Sequence, residues 1–286
     1  MIDLGFIVPT MWLEQFATFS NYHLVLAHMI RDDPKYLEFY RRRSREGDFI
    51  TLDNSSYELG DGVFTEQDLL DFAKEVEANE IMAPETYMDH ESTILKVCDF
   101  YDNIKVRDSD MGVFATVHGS AYEKYMDCVN AYLKLGVDCI GLSCRLAKRP
   151  VVHNIMFCDR TPEWTAASVR MNLVVDIHSR LRDVDVDDRP VIHLLGLNQP
   201  SEIAFQMHYS DIIRSNDSSA CFLAGRLGQS ILPFTYMKPV EKMNFADESP
   251  LDDFQIKQIT ANLHDLKGMA GHYDIGDRYV YQARLK

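Results

Sequence analysis

Three carboxylates and one imidazole follow short apolar runs of the chain, and these residue types can cleave a bond through a cationic transition state. They are Asp53, Glu85, Asp217 and His118. Cleavage of an N-glycosidic bond builds positive charge on the sugar, much as glycoside hydrolysis does. One carboxylate can then attack the anomeric carbon while another group handles the proton of the departing base.

Each of these residues also has an ordinary structural interpretation. Asp53 can cap a turn, His118 can be a hydrogen-bonded core histidine, and Asp217 can cap the next helix. Only their convergence on one place would favour chemistry over structure.

Metal ligation is not predicted, and no cofactor is expected. The chain contains no His-x-His or His-Glu-x-x-His pair and no Cys-x-x-Cys. The six cysteines are scattered without a repeating spacing, so we expect buried free thiols that bind no structural metal. They are Cys98, Cys128, Cys139, Cys144, Cys158 and Cys221.

The elements that must position these residues follow from the alternation of short apolar runs with helical patterns. Continuous hydrophobicity favours strands that are covered on both faces. The predicted strands are 4–8, 49–52, 80–83, 113–117, 138–142, 191–195 and 211–213, with 231–236 as a weak eighth. The predicted helices are 65–76, 122–135, 161–182 and 201–208.

This β-α alternation predicts an α/β fold, a single-domain (β/α)8 barrel with a C-terminal extension from about residue 240. An open doubly wound sheet is the alternative, although no Gly-rich dinucleotide turn supports it. In a barrel, the loops at the carboxyl ends of the strands carry the chemistry. The residues that follow the predicted strands would therefore converge on one mouth.

Composition and charge limit the partners. The 286 residues are 46% hydrophobic, as in an ordinary globular protein, and no apolar run is long enough to cross a bilayer. We therefore expect a cytoplasmic protein without a membrane partner.

The net charge of −15 repels nucleic acid at long range, so phosphate contacts would need a local basic face. Two clusters could supply it, and both could equally be solvated surface. They are Arg41, Arg42, Arg43 and Arg45, and Arg145, Lys148 and Arg149.

Four ordered segments between about residues 49 and 225 resemble the catalytic barrel of the tRNA-guanine transglycosylase family. Gly112-Val-Phe-Ala-Thr-Val-His-Gly-Ser-Ala-Tyr122, continued to Leu142, is similar to the family's strand, Gln-Gly-Gly, helix and Gly-Phe-Asp-Gly-Tyr-Ala-Ile-Gly-Gly-Leu. Leu52-Asp-Asn-Ser-Ser-Tyr57 is similar to Asp-Ser-Gly-Gly-Phe/Tyr, and Ile81-Met-Ala-Pro-Glu85 carries an acidic residue after a strand. The segment 189–203 is similar to Arg-Tyr-Leu-Met-Gly-Val-Gly-x-Pro-x-Asp-Leu.

The resemblance implies a (β/α)8 barrel that exchanges a guanine for a 7-deazaguanine through a covalent sugar–enzyme intermediate. By position, Asp53 would be the acid/base partner and Asp217 the nucleophile, although strict spacing from Asp211 places Arg214 at the nucleophile's position. The implied base-binding residues are Asn54, Glu85, His118, Gly141 and Gly196. Glu85 would bind the base's amidine-like edge, His118 would replace a base-reading Gln, and Gly141 would offer backbone groups.

The chain lacks the family's zinc motif, Cys-x-Cys-x-x-Cys with a distant His, which supports tRNA binding. It is more similar to short, zinc-free relatives from bacteriophages and bacterial islands that modify DNA. The expected partners are therefore nucleic acid, DNA rather than tRNA, and a free purine or deazapurine base, with a homodimer implied by the family. The alternatives are a base-excising DNA glycosylase, a nucleoside or nucleotide glycosidase, and a non-catalytic accessory subunit.

Overall fold

Eight parallel strands form one barrel in the computed structural model, which describes residues 1–107, 110–144, 146, 162–197, 202–231 and 243–272. The strands are β1 (Asp3–Phe6), β2 (Tyr22–Leu26), β3 (Phe49–Asp53), β4 (Glu80–Met82), β5 (Gly112–Thr116), β6 (Cys139–Ser143), β7 (Val191–Leu195) and β8 (Ile213–Ser218). Their hydrogen-bonded order is β1-β8-β7-β6-β5-β4-β3-β2. The sheet thus curls until β1 and β2, its two end strands, come into contact.

Helices alternate with these strands and form the outer layer. They are α1 (Leu13–Phe16), α2 (Ala27–Asp32), α3 (Pro34–Arg45), α4 (Ser56–Leu59), α5 (Glu66–Val76), α6 (His90–Arg107), α7 (Tyr122–Leu135), α8 (Pro162–Leu181), α9 (Glu202–Gln206), α10 (Ala220–Arg226) and α11 (Asp253–Met269). Short 3-10 turns cover Thr10–Trp12, Ala17–Phe19, Val186–Asp188 and Met207–Tyr209. The predicted (β/α)8 barrel is confirmed. No helix among the described residues is both long and apolar enough to cross a membrane.

Local sequence explains several of these boundaries. Thr65 and Asp68 form a reciprocal capping box at the start of α5. Gly136 ends α7 in the left-handed conformation, with a φ of +77°, which a residue without Cβ adopts at little cost. Both helices were predicted from these signals.

One strand was not predicted, and one predicted strand lies almost entirely outside the described residues. The strand missing from the predictions is β2. It passes directly into α2 without an intervening turn residue, so its apolar residues merge with those of the helix. Of the predicted strand 231–236, Ile231 belongs to no strand and 232–236 lie outside the described residues.

The strand predicted at 211–213 begins at Ile213 and continues through polar residues to Ser218. The pairing of β7 with β8 is irregular, since Ile192 lies opposite Ile213 and His193 lies opposite Ser215. Arg214 is therefore an extra residue in β8, as in a β-bulge. In a regular strand, residues three apart point to opposite faces. Because of the bulge, the side chains of Arg214 and Asp217 both point into the barrel. Arg214 contacts Glu80 there, and Asp217 contacts His193.

Hydrophobic packing is divided into two regions. A large cluster fills the layer between strands and helices. A small one, formed by Leu24, Met82, Phe114 and Cys139, fills the barrel itself. Charged groups lie on either side of this cluster, with Glu80 and Arg214 toward the amino ends of the strands and Asp217 toward the carboxyl ends.

The C-terminal extension contains α11, which packs on α10 and whose Lys267 donates to the carbonyl of Phe19 at 2.6 Å. A Cβ on Gly225 would lie 2.5 Å from Cγ1 of Ile259, so the two helices approach closely at this point. Beyond α11, the carbonyl of Ala270 accepts a hydrogen bond from the Ile2 N–H at 3.1 Å. The extension therefore belongs to the barrel's own packing.

Candidate active site

Asp217 lies inside β8 near its carboxyl end, rather than beyond the strand as predicted. Its Oδ1 accepts a hydrogen bond from the Gly196 N–H at 2.8 Å and lies 3.1 Å from Nε2 of His193. Both partners contact Oδ1, so Oδ2 is the oxygen that neither of them engages. With its side chain 12% exposed, Asp217 is held firmly and remains accessible from the mouth.

Asp53 is the last residue of β3 and is buried. Its Oδ1 accepts a hydrogen bond from the Ser55 N–H at 2.5 Å. Burial raises the pKa of Asp53 well above that of an ordinary aspartate, and the charges of Glu58, Glu85 and Asp217 add to this effect against the Ser55 hydrogen bond. Asp53 is thus a carboxyl group that tends to keep its proton.

The same electrostatic influence shows that three sequence-predicted carboxylates converge. Asp53 lies near enough to Glu85 and Asp217 for both charges to affect it, although the three residues come from distant parts of the chain. Their convergence supports the choice of these residues over the structural interpretation of each one alone.

Glu85 and His118 form a pair that follows β4 and β5. Oε2 of Glu85 lies 2.9 Å from Nε2 of His118, and both side chains are largely buried. Burial alone would raise the pKa of Glu85, but the hydrogen bond and charge of His118, with the hydroxyls of Ser56 and Thr116, lower it overall. The pair therefore presents an ionised carboxylate and an imidazole next to Asp53.

The other predicted base-binding residues are engaged within the protein. Nδ2 of Asn54 donates to the carbonyl of Ala83 at 2.8 Å. The carbonyl of Gly141 accepts from the Val117 N–H, and a Cβ on Gly141 would lie 2.5 Å from the Phe114 ring. Gly196 donates to Asp217. These contacts assign the three residues to shaping the site.

The arginines of α3 are not brought to this mouth. Arg45 ends α3 and Phe49 begins β3, so the last turns of α3 lie at the amino end of the barrel, opposite Asp53. Each arginine also contacts a carboxylate: Arg41 with Glu75, Arg42 with Glu14, Arg43 with Glu46 and Asp48, and Arg45 with Glu77. That this cluster binds nucleic acid stays a prediction, and any nucleic acid held there would lie at the end of the barrel opposite Asp53. Arg145, Lys148 and Arg149 lie outside the described residues.

Arg214 does not occupy the nucleophile's place. Its guanidinium contacts Glu80 at 2.7 Å and stacks over the Phe49 ring at 4.6 Å, both at the amino ends of their strands. Burial would lower the pKa of Arg214, but Cys139, Glu80 and Tyr22 raise it overall. Strict spacing takes no account of the bulge, which places Arg214 away from Asp217 within the barrel.

Sequence reasoning missed His193, the partner of Asp217. It is fully buried in the barrel, and its Nδ1 lies 2.8 Å from Oγ of Ser215 and 3.0 Å from the hydroxyl of Tyr22. The signal was a single histidine inside the apolar run 191–195, at a position where a strand side chain faces the barrel interior.

Sequence reasoning also missed Arg170, a fully buried residue of α8. Its Nη1 donates to the carbonyls of Leu195 at 2.9 Å and Gly196 at 3.2 Å, and its Nη2 donates to Glu202 at 2.5 Å. These bonds hold the turn after β7, and with it the N–H that contacts Asp217.

Across the described part of the chain, no three His, Cys, Asp or Glu side chains are arranged to hold a metal ion. Five of the six cysteines are free thiols there, and Cys158 lies outside it.

No protein-family model matches the chain, and no curated protein matches it. A functional assignment therefore depends on the geometry of this site and on the four segments quoted above.

Proposed function

We propose that the chain is a pentosyltransferase that cleaves the N-glycosidic bond of a base in nucleic acid, DNA rather than tRNA, and exchanges it for a modified base of the 7-deazaguanine type. The observation that carries this proposal is the contrast between two carboxyl groups at one barrel mouth. Burial and neighbouring charges raise the pKa of Asp53 and so favour its protonated form, while two hydrogen-bonding partners hold Oδ1 of Asp217. Such a pair fits one acid and one nucleophile.

The proposed reaction has two half-reactions. Oδ2 of Asp217 attacks C1′ of the sugar while the bond from C1′ to the base breaks, and Asp53 gives its proton to the departing base. This yields an ester between Asp217 and C1′ and an ionised Asp53. The incoming base then gives a proton to Asp53, and its nitrogen displaces Asp217 from C1′.

Glu85 and His118 are proposed to select the base. A carboxylate accepts hydrogen bonds from the N–H groups of an amidine-like edge, and the paired imidazole adds a second polar atom in the same region. In this scheme neither residue contacts the N-glycosidic bond that breaks.

The conformation of Ser55 supports the family resemblance. Ser55 has a φ of +60°, which favours glycine, and it stands where the family carries the first of two glycines. A left-handed residue at this position is what a glycine in the family's motif would readily allow.

One observation favours a second candidate, a glycosidase of free nucleosides or nucleotides. The arginines of α3 are paired with carboxylates at the far end of the barrel, so one of the two basic clusters that could hold a polymer lies away from Asp53 and Asp217. The first half-reaction would be the same, with water as the second nucleophile.

The test is covalent capture on Asp217. Purified enzyme is incubated with DNA oligonucleotides, or with free nucleosides, together with a deazapurine base, and its peptides are examined by mass spectrometry after quenching. We expect the sugar on the peptide that contains Asp217. Asp217→Asn should lose bond cleavage by about a thousandfold or more, as when a covalent nucleophile is removed, while binding persists.

Asp211→Asn is the matched control, since Asp211, six residues before Asp217, is an exposed carboxylate that contacts His178. It should retain full activity. An adduct on Asp53 would reverse the two roles, and full activity of Asp217→Asn would exclude the proposed mechanism. Comparison of nucleosides from cells with the wild-type or Asp217→Asn protein would identify the base.

A further inference from the structure

A chain of polar contacts runs through the barrel interior and ends on Asp217. Nε2 of His193 lies 3.1 Å from Oδ1 of Asp217, and Nδ1 lies 2.8 Å from Oγ of Ser215. The hydroxyl of Tyr22 lies 3.0 Å from the same Nδ1 and donates to Oγ1 of Thr51 at 3.2 Å. All of these side chains except that of Asp217 are buried among the strands.

The far end of this chain is fixed by a charge pair. Oγ1 of Thr51 donates to Oε2 of Glu80 at 3.0 Å, and the same oxygen accepts from Nη2 of Arg214 at 2.7 Å. An ionised carboxylate only accepts hydrogen bonds, so the Thr51 hydroxyl must be the donor in its hydrogen bond with Glu80. Thr51 is then the acceptor for Tyr22, which sets the direction of the network.

The carboxylate of Asp217 determines which nitrogen of His193 must carry a proton. On the other side of the ring, the Ser215 hydroxyl can donate to Nδ1 or accept from it, and the Tyr22 oxygen can accept from it, so these contacts are compatible with a proton on Nε2. The carboxylate of Asp217 can only accept, so Nε2 must be the donor that faces it. The opposite tautomer would place two lone pairs against each other at 3.1 Å.

We propose that His193 is a positioning residue for Asp217, with a proton on Nε2 that holds Oδ1 and turns Oδ2 toward the substrate. This inference rests on the proposed function of Asp217 as nucleophile. Gly196 supplies the second donor to Oδ1, so the carboxylate is fixed by two bonds from two directions. The buried ring itself cannot reach the substrate, because Asp217 lies between it and the mouth.

Two substitutions separate this role from packing. The amide nitrogen of Gln lies as many bonds from Cβ as Nε2 of His, and that of Asn as many as Nδ1. His193→Gln therefore keeps a donor for Asp217, while His193→Asn keeps only a partner for Ser215 and Tyr22. A misplacement of about 1 Å at a reacting group can cost about 10²-fold, so we expect that loss in kcat for His193→Asn, with little change in KM. His193→Gln should recover most of it.

A readout that needs no turnover tests the same assignment. In ¹⁵N-histidine NMR of the free protein, the His193 resonances, identified by their loss in His193→Gln, should show the Nε2–H tautomer. Asp217→Ala should shift the Nε2 proton upfield. An Nδ1–H tautomer, or an unmoved Nε2 proton, would overturn the inference even in an active enzyme.

The kcat measurements on the His193 variants could also contradict the inference. Equal losses in His193→Gln and His193→Asn would assign His193 to packing. If the wild-type protein cleaves no glycosidic bond while NMR finds the Nε2 bond to Asp217, the proposed function fails and the contact between the two residues stands.

Discussion

At the scale of single residues, Asp53 is an acid whose burial costs stability. Its folded pKa is raised, so the folded protein holds this proton at pH values where the unfolded chain, with a pKa of about 3.9, has lost it. The unfolded state then binds fewer protons, and stability falls as pH rises through this window. Activity that needs the protonated acid should fall above the folded pKa.

We therefore predict that Asp53→Asn stabilises the protein while it lowers activity. Asn keeps an acceptor for the Ser55 N–H but carries no charge. Between the unfolded and folded pKa values, the gain over wild type should grow toward a slope of about 1.4 kcal/mol per pH unit. Urea unfolding at pH 4, 5, 6 and 7 measures it.

Asp211→Asn is again the control, because Asp211 is exposed and paired with His178. It should show no gain that grows with pH. An Asp53→Asn gain that is constant across this range would mean that the charge of Asp53 is not what destabilises the protein.

Glu85 belongs to the same scale. We predict that Glu85→Gln changes the preference among purine and deazapurine bases more than it slows the preferred base. The reason is that a site that hydrogen-bonds a polar edge can reject analogues by up to about 10⁴-fold. Competition between bases, measured as ratios of kcat/KM, provides the test. An equal loss on every base would instead place Glu85 in bond cleavage.

At the scale of elements, the contact between α10 and α11 allows a prediction about stability. In a helix, Gly→Ala is favourable by up to about 1 kcal/mol. At Gly225 the added Cβ would lie within 2.6 Å of three atoms of Ile259, so we predict that Gly225→Ala destabilises the protein by about 1–3 kcal/mol, the usual cost of overpacking. The free energy of unfolding in urea measures this change.

Ile259→Ala provides the matched background. Two of the three close atoms are the Cα and N of Ile259, which this substitution leaves in place. Gly225→Ala should therefore remain destabilising in the Ile259→Ala protein. A rescue there would show that only the side chain blocks the Cβ, and that the helices can move apart at little cost.

The elements also show how far the sequence could predict the site. The strand that ends at Asp53 was predictable because its apolar run stops at the polar residue. Of β8 only the start was predicted, because Ser215 and Asp217 face the barrel interior and break the apolar pattern by which a buried strand is identified. The bulge at Arg214 depends on a pairing with β7 that no local pattern encodes. Convergence of Asp53, Glu85 and Asp217 was predictable from barrel geometry, whereas the support from His193 required side-chain contacts.

At the scale of the whole molecule, the net charge of −15 repels a polyanion such as DNA, so binding would need a local basic face. Arg42 and Arg45 are accessible but lie at the amino end of the barrel. We predict that their replacement by Glu leaves the affinity for a labelled DNA oligonucleotide unchanged. Replacement of Arg145, Lys148 and Arg149 should weaken it and reduce the slope of log K against log salt by roughly one per lost phosphate contact.

Fluorescence anisotropy from low to physiological salt distinguishes these outcomes. A loss of affinity confined to the Arg42 and Arg45 variant would place the DNA at the other end of the barrel, away from Asp53. Unchanged affinity in both variants would favour the free nucleoside or nucleotide as substrate.

The contact between β1 and β2 has a consequence for the size of substrate that the mouth can accept. Gly5 of β1 pairs with Asp217, and Leu26 of β2 pairs with Asp53, so the two carboxylates stand on either side of this contact. Within the two strands, which are described in full, no backbone ladder joins β1 to β2. At this contact, the distance between the proposed acid and the proposed nucleophile is thus set by side-chain packing and not by ladder hydrogen bonds. Every other neighbouring pair of strands in the described barrel is joined by backbone hydrogen bonds. The size of sugar and base that the proposed site would accept therefore depends on the side chains of β1 and β2, and substitutions there can change it without removing a ladder hydrogen bond.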